Sequence, residues 1–164
     1  MICFILIRII KVPFNIYPLS FGLIIGLTNW NMHKYKPFLG VLLSIFVSYL
    51  AFFIAYFSFA LTGSIFSFMK GDSGNILGLT ISTYIIAPLL VFLLYKTVFK
   101  IINSKITFFI ITISIFLLIV LFYLCNLIGL IDESLDSYTI WQIIMISALQ
   151  LIINQTKIFK AIEI

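Results

Sequence analysis

In a chain of 164 residues the set AVILMFWYC makes up 63% and charged residues 9%, with a mean hydropathy of +1.28, so the polar surface of a soluble globule is missing. This composition excludes an ordinary water-soluble domain and predicts an all-α, polytopic membrane bundle whose solvent is the lipid bilayer. The net charge of +5 is carried by Lys and Arg residues scattered singly or in pairs. No basic stripe is available to track phosphates, which excludes nucleic-acid binding.

Residues 1–30 are apolar but interrupted by Arg8, Lys11, Pro13, Asn15 and Pro18. They read as an interfacial or re-entrant element, with a fifth span from Val12 to Trp30 as the alternative. No apolar segment precedes Cys3 to make it a lipoprotein site, and no small-residue cleavage site follows the opening stretch, so no signal peptide is expected. Gly22 and Gly26 form a G-x-x-x-G that suits close docking, against a seam in the same chain or against a second copy.

The first of four expected spans covers 38–62, inside an uncharged run from Phe38 to Met69. That run is longer than the roughly 20 residues a crossing needs, so a tilt or a break is expected near Thr62-Gly63-Ser64, with Ile65 to Met69 at the interface. Along it Ser44, Ser48, Ala51, Ala55, Ser58 and Thr62 alternate at spacings of four and three. Such a stripe puts small side chains on one face at the period of left-handed helix crossing, and lets backbones approach closely where lipid supplies no hydrophobic drive.

The second span, 76–94, contains Pro88, which removes a backbone bond and predicts a bend. The third, 106–131, is the most apolar. The fourth, 138–155, opens beside Ser137, a candidate N-cap, and carries Gln142, Gln150, Asn154 and Gln155. Its insertion therefore depends on neighbouring helices to accept those amides, and Ser147, Gln150 and Asn154 share one helical face as a polar seam. No loop is long enough to fold alone, so residues 1–164 read as a single membrane domain.

Alternating loops would put Lys34, Lys36, Lys96, Lys100, Lys105, Lys157 and Lys160 on one side, and Lys70, Asp72, Asp132, Glu133 and Asp136 on the other. The bias of positive residues towards the cytoplasm assigns the first side, and the C-terminus, to the inside. Trp30 and Trp141 then border the inner and outer interfaces. The Ile, Phe, Asn and Lys-rich composition points to a bacterial inner membrane and an AT-rich genome.

No span contains Asp, Glu, His, Lys or Arg. Ion-coupled transport and intramembrane catalysis draw on such residues, so neither a catalytic nor a cofactor site is expected. His33 reads as an exposed loop residue beside lysines. Cys3 and Cys125 have no metal or disulfide spacing, and Asp132, Glu133 and Asp136 lack the glycine of a calcium loop, so no metal site is expected. What remains is a non-enzymatic protein acting by helix–helix binding, as an accessory or stabilising subunit or as an immunity-like protector against a membrane-acting partner. Its partners would be the bilayer and either a membrane protein or a second copy. The alternative is a homo-oligomeric pore or passive channel lined by the Ser147, Gln150 and Asn154 seam.

Overall fold

The computed structural model describes residues 16–66, 73–102, 104–128 and 137–162, and every regular element among them is helical. Arg8, Lys11, Cys3, Lys70, Asp72 and the acidic group Asp132, Glu133 and Asp136 lie outside the described residues, as does the side chain of Cys125.

Helix α1 (Tyr17–Thr28) carries Pro18 in its first turn, where the missing N–H has no partner to lose. It ends at Asn29, whose backbone N–H and side-chain amide both donate to the carbonyl of Ile25. Twelve residues at about 1.5 Å each make a helix of about 18 Å, short of the roughly 30 Å hydrocarbon core. It runs antiparallel to α2 (Pro37–Ile65): Gly22 lies on Ser44 and Ile45, Gly26 on Val41.

Helix α2 is unbroken through Thr62-Gly63-Ser64, so of the tilt or break expected there the break does not occur. The hydroxyls of Ser58, Thr62 and Ser64 donate to the carbonyls of Ile54, Ser58 and Ala60, one turn back. Polar residues satisfied by their own helix leave no reason to open it in an apolar medium. The helix stops at Phe66, whose N–H reaches the carbonyl of Thr62.

The next rod comprises α3 (Ser73–Thr80), a π-helical turn (Ile81–Ile86) and α4 (Ala87–Val98). The irregularity associated with Pro88 is this wide turn on its N-terminal side, with Ala87 donating to Ser82, five residues back. Helix α5 (Lys105–Ile128) starts at Ser104, whose hydroxyl accepts the N–H of Thr107 as an N-cap. Helix α6 (Ser137–Ile162) completes the bundle.

Among the described residues three helices are long and apolar enough to cross a membrane: Pro37–Ile65, Ile76–Val98 and Lys105–Leu124. The expected fourth span corresponds to a shorter apolar stretch, Ile140–Gln155. Phe38, Leu61 and Phe108 are about two-thirds exposed or more on the outside of the bundle, while Ile25, Tyr95, Phe99, Met145 and Leu149 are sealed within it. Large apolar side chains on the outside are costly in water and at home in lipid.

One end of the bundle gathers Lys34, Lys96 and Lys100. An isolated antiparallel bridge pairs His33 with Phe99, so the α1–α2 and α4–α5 connections lie side by side. Lys34 donates its backbone N–H to Val98 and Lys100 to Met32, and the Lys34 ammonium caps the carbonyl of Lys96. Gln155 of α6 bonds Ile102, Ser104 and Thr107, which brings the C-terminal part of that helix to the same end.

Candidate functional site

The small-residue stripe of α2 is divided among three neighbours. At Ser44, Ser48 and Ala51 it is sealed. A Cβ on Gly22 would lie 2.6 Å from the Cα of Ile45, so these two backbones meet only because residue 22 has no side chain. On the adjoining side the phenol of Tyr95, from α4, reaches Ser48 Oγ at 2.7 Å and the Ser44 carbonyl at 3.2 Å. Ser48 also donates to that carbonyl, so two hydroxyl protons share two acceptors in a closed set. Further along, Thr62 Oγ1 lies 3.0 Å from Ser82 Oγ and 3.2 Å from the Gly78 carbonyl, tying α2 to α3 and the π turn. Ser58 is half-buried and bonds within α2.

The polar seam of α6 faces α1. Gln150 Nε2 donates to Thr28 Oγ1 at 2.6 Å, and Asn154 Nδ2 to Asn29 Oδ1 at 3.1 Å. Ser147 donates to the Ile143 carbonyl of its own helix. Gln155, sealed at 5% exposure, accepts from Ser104 and Thr107 and donates to Ile102. Three of the four amides on this helix are therefore met by neighbouring elements, as an amide in an apolar bundle requires.

Gln142 is the exception. It is 4% exposed, and its Oε1 is buried with no hydrogen-bond partner among the described residues. It lines a cavity of about 250 Å³ between the first turn of α1, the middle of α2, the π turn and the start of α6. Ala55 of the α2 stripe is on the wall, with Phe21, Phe52, Phe59 and Trp141 around it. Trp141 is half-buried: its ring packs on Phe21 and its Nε1 donates to the Thr83 carbonyl at 2.9 Å. Sequence reasoning grouped Gln142 with the other amides as needing neighbours and left it off the Ser147, Gln150 and Asn154 face, but spacing does not say what lies opposite. Its partnerless state depends on which helix lies opposite.

His33 is not an exposed loop residue. It is 4% exposed, stacked on Phe99 with centroids 4.5 Å apart, and its Nε2 donates to the Gly26 carbonyl at 3.0 Å. A donating Nε2 sets the tautomer and leaves Nδ1 buried, without a partner among the described residues. Gly40 makes room for the ring, since a Cβ there would fall 2.2 Å from His33 Cγ. The histidine is the wedge of the lysine-rich end.

Among the described residues no three His, Cys, Asp or Glu side chains gather as a metal set. No protein family model, curated protein or solved structure matches the chain.

Proposed function

We propose that this chain is a multi-pass protein of a bacterial inner membrane, with four crossings and its lysine-rich end and C-terminus in the cytoplasm. It acts without catalysis by helix–helix binding, as an accessory or stabilising subunit or as an immunity-like protector against a membrane-acting partner.

The observation that carries this reading is on the outer end of α2. Ala60 is exposed, and the space a Cβ on Gly63 would take is open among the described residues. The neighbouring aromatic and aliphatic side chains Phe57 and Leu61 are about two-thirds exposed. A glycine and an alanine one turn apart on an otherwise bulky surface form a notch that admits a second helix to backbone distance. The inner stripe of α2 is taken up by α1, α4, α3 and the π turn except at Ala55, which lines a cavity, so the notch is small-residue surface that α2 offers on its outside. The cytoplasmic assignment is supported by the lysines gathered at one end.

The alternative, a homo-oligomeric pore, draws its lining from Ser147, Gln150 and Asn154. Two of those amides bond α1 within the chain, which favours the binding reading.

Affinity purification in mild detergent, followed by mass spectrometry and native mass determination, tests the proposal. A defined second membrane protein is expected, lost when Gly63→Phe fills the notch. A homo-oligomer that makes liposomes leak would move the assignment to a pore. Turnover of a lipid by the pure protein would sink the non-catalytic reading.

A further inference from the structure

The cavity beside Gln142 is separate from the α2 notch. Its wall is apolar and rich in aromatic side chains, and among the described residues no Lys, Arg, His, Asp or Glu lines it. A charged ligand would have no counter-ion there and would lose its hydration without compensation. The cavity therefore suits a neutral ligand. At about 250 Å³ it lies just below the roughly 300–1,000 Å³ of sites for drug-sized molecules, which fits one narrow chain rather than a fused-ring body.

Gln142 supplies the polar contact. A buried carbonyl oxygen without a donor is rare in a folded protein and calls for a specific explanation. A primary amide presents an acceptor and two donors side by side. A neutral group that supplies the missing donor is a hydroxyl, whose O–H donates to Oε1. Access is lateral: Tyr56 lines the cavity and is also 61% exposed, so the wall opens on the outer surface of α2, where lipid lies.

We propose that this cavity binds a neutral single-chain lipid ending in a hydroxyl group, held through that hydroxyl by Gln142 and along its chain by Phe21, Phe52, Phe59 and Trp141. The site is independent of the partner-binding reading, since no residue of the Gly63 notch takes part.

The test uses Trp141 as reporter. The full chain carrying Trp30→Phe is placed in phosphatidylcholine nanodiscs and titrated with bromoundecanol, whose bromine quenches indole fluorescence on contact. Saturable quenching is expected, with roughly five- to tenfold weaker apparent affinity in Gln142→Leu, the worth of one neutral buried hydrogen bond. Bromoundecane, which lacks the hydroxyl, should bind the unsubstituted Gln142 protein as weakly as the alcohol binds Gln142→Leu. Ala55→Phe, which fills the cavity from α2 and keeps Gln142, should abolish saturation while circular dichroism shows the helices intact. Quenching that rises linearly without saturation overturns the proposal. So does equal affinity for alcohol and alkane, which would make the cavity a packing defect indifferent to the hydroxyl.

Discussion

The indole N–H of Trp141 donates to the backbone carbonyl of Thr83 at 2.9 Å, across 58 positions of sequence, and Pro88 is the reason that carbonyl is free to accept. In an α-helix the carbonyl of Thr83 would take the N–H of Ala87. In the π turn that N–H goes to Ser82 instead. The next amide in the π register belongs to residue 88, and proline has none. A carbonyl left over by a proline is expensive in an apolar bundle, and the start of α6 satisfies it.

That relationship predicts coupling between Trp141 and Pro88. Trp141→Phe should destabilise the protein by about 1–3 kcal/mol, the cost of a buried carbonyl losing its donor. In a Pro88→Ala background the same change should cost less, because Ala at position 88 offers its own N–H. Unfolding of the four proteins of this double-mutant cycle in detergent checks it, and strictly additive effects would refute the coupling.

The α1–α2 crossing predicts a hierarchy among glycines. Gly22→Ala places a methyl 2.6 Å from the Cα of Ile45, and backbone cannot move aside as a flexible side chain can. The helices must separate, at about 1–3 kcal/mol by analogy with other overpacked contacts. Gly63→Ala meets open space and should stabilise α2 by up to about 1 kcal/mol through helix propensity. Thermal denaturation in detergent should therefore move in opposite directions for the two.

His33 and Gly40 should behave as one unit. Gly40→Ala drives a methyl into the imidazole and should be among the more damaging single-methyl changes in the chain. His33→Ala removes the stack on Phe99 and the bond to Gly26, but also removes the clash. The double variant should thus be more stable than the sum of the singles implies, by roughly 0.5–3 kcal/mol of interaction energy. A sum that simply adds would show that the loop relaxes away from α2 at no cost.

The amide contacts between α6 and α1 carry a smaller expectation. Asn154→Leu removes the bond to Asn29, and hydrogen bonds between membrane helices are worth about 0.6 kcal/mol on average and up to about 1.7. A loss within that range, read by the same unfolding measurement, is expected. A larger one would mean that Asn29, which is 3% exposed, finds no replacement donor.

Topology has its own test. Single cysteines in place of Lys36 and Lys100, with Cys3 and Cys125 changed to Ser, should resist a membrane-impermeant maleimide in intact cells and react once the cells are opened. Labelling in intact cells would place the lysine-rich end outside.

The features legible in residue order alone rest on quantities that need no partner. Hydropathy and run length pointed to the three long apolar helices Pro37–Ile65, Ile76–Val98 and Lys105–Leu124, because an apolar stretch of that length has no favourable place in water whatever its neighbours. The period of Ser44, Ser48 and Ala51 marked a close-approach face, and lysine spacing marked one end of the bundle, since both are properties of a single helix or loop. Only the tertiary structure decided what each face meets. It turned Gln150 and Asn154 to α1 and left Gln142 facing a cavity, although all three are the same kind of residue on one helix. It turned His33 from an exposed loop residue into a sealed wedge and set the indole N–H of Trp141 on the carbonyl of Thr83. Those outcomes depend on which groups from distant segments arrive opposite, and a hydrogen bond requires two groups where a hydropathy run requires one.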